Sequence, residues 1–448
     1  MASTRNARSV FQRRALSLAL IGLLLLLHAL PAGAQDAYGG GAPPAAQPAA
    51  PPPPPPDDEE KEVRIVHPID KRVSRYLSAA LKLMQENKLP EADEILEKIA
   101  GNQRLNPTER AKVQQFLGNV AIYKSDLPDA AKHMEAALKL EGLDLASEQQ
   151  VTFQLASLYA QIGDYPKAMQ VLDVWFQSAT NPTPEAYYLK AVILIQMEKV
   201  DEAVTAAEQA VALSPDPREG WLSLLAHTYY LTKNYAKMAS TLETLIAKSP
   251  NKKTYWLLLS AAYFELDRDD EARAIVQLAY RQGLLDKDRE VRALVRLLIA
   301  NGLPFEAAGV MEKGMADNLV PKERDSYELL TNAFLQARED DRALEPLMKG
   351  AETSEDAQLY ILLGKVYLQS ERFNDAIAAL NVGLTKAKPD QRGRVYLLLG
   401  VAQLGAKHLD DAERAFRSAL GDEKTRKEAD NYLKFVTQER ERRQGMGA

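Results

Sequence analysis

No cysteine occurs among the 448 residues, which removes disulfides, thiolate metal sites and thiol nucleophiles together. The absence also suits an oxidising envelope compartment. Histidine is nearly as scarce: beyond the first 34 residues only His67, His133, His227 and His408 remain, and their wide spacing prevents a shared metal site or proton relay. There is no His-Glu-x-x-His, no Gly-x-Ser-x-Gly and no glycine loop followed by its lysine, and Gly39-Gly40-Gly41 has no helix pattern behind it. The sequence thus offers no catalytic residue, cofactor site or metal site. Acidic pairs such as Asp269-Asp270, Asp340-Asp341 and Asp410-Asp411 fall where helices start, and there they interact favourably with the helix dipole and cap free amides. Trp175, Trp221 and Trp256 sit at helical packing positions and read as core.

Excess positive charge is also missing. The formal net charge is −6, and without a leader of four arginines and no acid, 52 basic residues face 62 acidic ones, a net charge of −10. Nucleic-acid binding, which needs a basic surface to neutralise phosphates, is disfavoured.

The leader itself is legible. Arg5, Arg8, Arg13 and Arg14 precede an apolar run from Ala15 to Leu30, followed by Pro31 and the small residues Ala32 and Ala34. This is the pattern of a secretory signal peptide cleaved after Ala34, and its run is shorter than the roughly 20 residues that span a bilayer. An uncleaved inner-membrane anchor is the competing reading. Residues 35–62 form a Gly-, Ala- and Pro-rich tether with six prolines from Pro51 to Pro56, expected to be extended and unfolded, and it ends beside the acidic run Asp57-Asp58-Glu59-Glu60.

What fills the remainder is repetition. Ala92, Ala130, Ala168, Ala203, Met238, Ala272, Ala307, Ala343, Ala376 and Ala412 recur 33 to 38 residues apart. Around them the pattern is of paired helices with small residues at fixed crossings: Gly364, Tyr367, Phe373 and Ala376 in the ninth unit, and Leu399, Gly400, Ala412, Phe416 and Ala419 in the tenth. Leu155, Ala156, Tyr159, Gly163, Tyr165 and Ala168 repeat it in the third, while Pro215 and Pro250 close the fourth and fifth. The seventh unit departs, with Val295 at the first crossing, yet Asn301-Gly302 before Leu303-Pro304 still reads as a helix end and a new start. The chain resembles the tetratricopeptide repeat family. The resemblance implies an all-α fold: a right-handed superhelical solenoid of about ten helix-turn-helix units over residues 63–421. A polar-backed capping helix over 422–443 and a disordered tail over 444–448 complete the expected organisation.

In such a solenoid the first helix of each pair lines the concave surface, exposing positions two, five, nine and twelve of each unit. These supply a candidate partner-binding groove: Asn119, Tyr123, Phe153, Tyr188, His227 and Tyr230 in the first half, then Arg289, Arg292, Arg296, Asn332 and Lys365. Residues three and four apart share a helix face, so the three arginines are expected to form a basic stripe that grips carboxylates. The competing reading is a solvated face with salt bridges inside the array. The function expected of the whole is adhesion to a peptide segment or helix of another protein.

Several stretches resemble a narrower group, the bacterial envelope tetratricopeptide proteins associated with TonB, ExbB and ExbD. They are Val174-Trp175-Phe176 with Asn181-Pro182-Thr183-Pro184-Glu185-Ala186-Tyr187, then Tyr255-Trp256, Leu278-Ala279-Tyr280-Arg281-Gln282-Gly283-Leu284-Leu285, and Ala307-Ala308 with Met311-Glu312-Lys313-Gly314. That resemblance implies a periplasmic accessory of TonB-dependent uptake, close to the membrane without spanning it after cleavage. An adaptor for envelope assembly, secretion, pilus or peptidoglycan-associated complexes is the alternative.

Overall fold

The computed structural model describes residues 66–353, 355 and 357–446, so the leader, the tether with its acidic run, and the last two residues lie outside the described residues. The described chain holds 21 α-helices and no strand. It divides into two compact units, residues 1–272 and 273–448, with the division inside one helix.

In the first unit, α1 (Lys71–Gln85) pairs with α2 (Leu89–Ala100), α3 (Pro107–Tyr123) with α4 (Leu127–Lys139), and α5 (Leu145–Ile162) with α6 (Tyr165–Ser178). Then α7 (Pro184–Gln196) pairs with α8 (Val200–Ala212), α9 (Glu219–Leu231) with α10 (Tyr235–Lys248), and α11 (Lys253–Glu265) leads into α12 (Asp269–Arg281), which contains the division. In the second unit, α13 (Asp288–Ala300) pairs with α14 (Pro304–Ala316), α15 (Arg324–Gln336) with α16 (Asp340–Glu352), and α17 (Ala357–Gln369) with α18 (Phe373–Lys386). The pair α19 (Pro389–Gly405) and α20 (Leu409–Ala419) is followed by α21 (Glu423–Met446), which runs past the expected end of the cap at Arg443. These hairpins make an all-α solenoid.

The turn inside each pair follows one rule. Asn87, Ser125, Gly163, Glu198, Lys233, Asp267, Gly302, Arg338, Glu371 and Lys407 all have positive φ, between 55° and 90°, and each stands five residues before the small residue of its second helix. The next residue's N–H donates back to the carbonyl five residues earlier, as in Asp164 to Tyr159 (2.9 Å) and Arg372 to Tyr367 (2.8 Å). This left-handed cap satisfies carbonyls that a helix end leaves bare. The second helix then starts on side-chain caps where Asp126, Asp164 and Asn234 accept backbone N–H bonds, with Pro90, Pro128, Pro166 and Pro304 in first turns where a missing N–H costs nothing.

Packing explains the small residues. Ala92, Ala130, Ala168, Ala203, Ala272, Ala307, Ala343, Ala376 and Ala412 are fully buried, as is Val295 in the departing seventh unit. A Cβ added at Gly364 would lie 2.6 Å from Leu380, and one at Gly400 would lie 2.5 Å from the Phe416 ring. Glycine at these crossings is therefore required by a large side chain on the partner helix.

Successive hairpins are joined by a recurring strut. The hydroxyl of Tyr229 donates to Glu208 (2.7 Å), Tyr159 donates to Glu135, Tyr263 to Glu243, and Tyr367 to the Met348 sulfur (3.3 Å). Each ring is also covered by a cation, Lys167, Lys237, Arg268 or Arg372, at 4.4 to 5.3 Å from its centre. Phe334 holds the same place under Arg342 (4.5 Å) without a hydroxyl. Each hydrogen bond contributes about 1 kcal/mol and each cation contact about 0.5–1 kcal/mol, so the struts fix register between hairpins more than they supply bulk stability.

Candidate functional site

The residues at the predicted groove positions lie on the first helices of their pairs, with exposures that range from open to buried and surroundings that differ between the two units. In the first unit Tyr123 is open, at 61% exposure, while Asn119, Tyr188, His227 and Tyr230 are half-buried. Burial pushes the Tyr188 hydroxyl above its ordinary pKa, so it stays a neutral donor. Phe153, also half-buried, opens an aromatic run: it tilts against Trp175 at 5.7 Å, Trp175 meets Phe176 edge-on at 5.3 Å, and Phe176 packs on Tyr187 at 5.0 Å. Lys190 covers the Phe176 ring at 5.0 Å. Of the tryptophans, all are buried as the sequence predicts, and Trp256 donates its indole N–H to the Pro250 carbonyl (2.8 Å).

In the second unit the expected arginine stripe is incomplete. Arg289 and Arg296 are exposed, but Arg292 is only 7% exposed. Its guanidinium donates to Asp288 (2.6 Å), Glu323 (2.9 Å) and the Ser326 hydroxyl (2.8 Å), and Ser326 donates in turn to the Pro321 carbonyl. Arg292 is a cross-link between α13 and the start of α15, because the loop before α15 brings an acid and a hydroxyl over it. It is not available to a ligand.

Asn332 and Lys365 do come together. Both line a groove of about 850 Å³ formed by the first helices of three successive pairs, α15, α17 and α19, and closed at one end by α21. Leu335, Ile361, Leu362 and Leu397 supply its apolar surface, and Arg324, Glu328, Arg394, Asp390, Asp422, Lys424 and Glu428 its charges. Arg324 is spent on Glu328 (2.8 Å), and the Asp422 carboxylate accepts the Lys424 backbone N–H (2.9 Å) at the start of α21. Burial, reinforced by the nearby Arg394 guanidinium, holds the Lys365 ammonium below its ordinary pKa. Beneath the groove Thr331 is buried and its Oγ1 has no hydrogen-bond partner.

The rule that selects Asn332 and Lys365 also selects Glu328, Gln358, Arg394 and Leu397, at positions two and five of their units, and the sequence reading passed over them. Asp422, Lys424 and Glu428 belong to α21, where no repeat phase exists to point at them. The acidic pairs Asp269-Asp270, Asp340-Asp341 and Asp410-Asp411 stand in the first turns of α12, α16 and α20. Among the described residues no cluster of three or more His, Asp or Glu side chains is arranged to hold a metal ion, and no helix is long and apolar enough to cross a membrane.

No curated protein matches the sequence. Among solved structures, a tetratricopeptide repeat protein from Parabacteroides merdae is similar at 16% identity and a TM-score of 0.39, covering 59% of this chain and all of that one. YrrB, described as a tetratricopeptide protein with an unusual peptide-binding site, is 20% identical over 40% of this chain and 88% of its own, with a TM-score of 0.35. Residues 117–182, 223–283 and 361–429 match one profile of the tetratricopeptide repeat, and residues 184–217 match a second, together a little over half of the chain. With ten hairpins in phase, small residues at the crossings and two profiles of the same repeat matched, the chain belongs to the tetratricopeptide repeat proteins, a class built to hold other proteins.

Proposed function

We propose that this protein is a periplasmic, non-enzymatic scaffold that holds a peptide segment or helix of another envelope protein along the first helices of its pairs, as an accessory of a TonB–ExbB–ExbD uptake system. The observation that carries the binding reading is the groove over α15, α17 and α19, lined by apolar and charged side chains, part of them at the predicted repeat positions and part from α21. A preformed groove demands little ordering of the protein when a partner binds. The envelope location is supported by the leader and the lack of cysteine, and the TonB association by the sequence words from Val174 to Gly314.

Crosslinking in intact cells followed by co-purification on the full chain tests the partner. Recovery of ExbB, TonB or a receptor plug, together with loss of nutrient uptake on deletion, is the expected result. Recovery of secretin, pilus or wall-synthesis components with uptake unchanged would replace the transport role by an assembly role.

A further inference from the structure

One acceptor in the recurring strut is of a different kind from the rest. Five residues after the small residue of each second helix stand Glu135, Asp173, Glu208, Glu243, Gln277 and Glu312 in the second to seventh pairs, every one with a side-chain oxygen, whereas the eighth pair has Met348. Its sulfur accepts the hydroxyl of Tyr367 at 3.3 Å, where Glu208 accepts that of Tyr229 at 2.7 Å. A thioether is a weak acceptor, so the strut between α16 and α17 contributes less than its counterparts. Met348 is also 40% exposed, whereas Met84, Met134, Met238, Met311 and Met315 are buried and Met169 and Met197 half-buried.

We propose that Met348 is a site of reversible oxidation, and that its sulfoxide completes the strut instead of breaking it. The oxidant is a peroxide such as hydrogen peroxide. A sulfur lone pair attacks one peroxide oxygen and the O–O bond breaks; the sulfur, oxidised by two electrons, keeps that oxygen as the sulfoxide, and the other leaves as hydroxide and takes the remaining proton to give water. Methionine Sδ and glutamate Cδ stand at the same place along their side chains, so an oxygen added to Sδ falls where a carboxylate oxygen meets the tyrosine in other pairs. In a closed core the added polarity would disrupt packing, but this side chain already meets water and the new oxygen has a donor within reach. That donor is Tyr367, whose ring Arg372 covers at 4.7 Å. Oxidation thereby tightens the joint between the eighth and ninth pairs, which the groove over α15 and α17 crosses. A sulfoxide reductase drawing on a thiol returns the residue to its starting form.

The test exposes the folded full chain to limiting hydrogen peroxide and follows each methionine by peptide mass spectrometry. Met348 is expected to oxidise at least about tenfold faster than the buried Met134, Met238 and Met311. Amide exchange in α17 of the oxidised protein should then slow about three- to fivefold, and Tyr367→Phe should abolish that slowing. Phe334 fills the same place in the preceding pair, so the variant keeps the packing of the ring. Met348→Gln, which carries an amide oxygen at the place of the sulfoxide, should slow the same amides without peroxide and so separates Met348 from oxidation elsewhere in the chain. Oxidation of Met348 no faster than that of the buried methionines, or exchange in α17 that does not slow or slows equally without the Tyr367 hydroxyl, would overturn the proposal.

Discussion

Arg292 and Arg296 stand four residues apart on α13 and have opposite fates. Arg296 is exposed, whereas the Arg292 guanidinium is enclosed by Asp288, Glu323 and Ser326. Hydrogen bonds between charged groups in a buried setting are worth more than exposed ones, although both acids here retain contact with water. Arg292→Ala is therefore expected to lower unfolding free energy by about 2 kcal/mol, and Arg296→Ala by less than about 0.5 kcal/mol, as read from urea midpoints. Equal effects would contradict the cross-link. Gly364 makes a steric case of the same kind. Its added methyl has Leu380, fully buried, at 2.6 Å, so Gly364→Ala should destabilise by about 1–3 kcal/mol although alanine is the better helix former. The fate of Gly364 was readable from its phase in the repeat. That of Arg292 was not, because two of its partners lie 31 and 34 residues further on, at the start of α15, and only the folded chain brings that helix end over it.

At the scale of helices and turns, the ten left-handed caps are the most regular feature, and sequence alone reveals only two of them. Gly163 and Gly302 advertise the conformation, while Asn87, Ser125, Glu198, Lys233, Asp267, Arg338, Glu371 and Lys407 adopt it because the returning backbone bond holds them there. A residue with a Cβ pays about 1–2 kcal/mol in that region, and glycine recovers part of this after its larger entropy loss on folding. Lys233→Gly should thus raise stability by up to about 1 kcal/mol, and Gly163→Ala should lower it by about 1–2 kcal/mol, measured by thermal unfolding. The helix pairs themselves were legible from end to end, since small residues at two crossings leave few other folds open. Joints between pairs were less so. Glu219, at the start of α9, accepts from Lys252, Tyr255 and Ser249, and these bonds hold its carboxyl down at about 2. A carboxyl depressed on folding contributes stability that is present above its unfolded pKa and fades as pH falls toward the folded value. Stability should drop between roughly pH 4.5 and 2, and Glu219→Gln should flatten part of that slope in a pH series of urea unfolding.

For the whole molecule, nearest-neighbour stacking makes the ends the weakest places. At the C-terminal end α21 covers the last pair: Tyr432 stacks on Phe416 at 4.8 Å with rings 2° from parallel, and Ala429 and Val436 are buried beside it. A chain ending at residue 422 should show amide exchange at least tenfold faster in α19 and α20, while amides of α3 to α10 keep their rates. Uniform acceleration along the chain would mean that the array unfolds as one block. The N-terminal end is secured differently. The backbone N–H of His67 donates to Thr108 (3.0 Å), that of Asp70 to the buried Glu109 (2.8 Å), and Asn106 donates to the Pro68 carbonyl (3.0 Å). Glu109 also accepts from Asn106 at the start of α3, so one carboxylate ties two segments. Any tension transmitted along the polypeptide from residues before 66 must first shear these three bonds against α3, and only afterwards can it peel α1 from the stack.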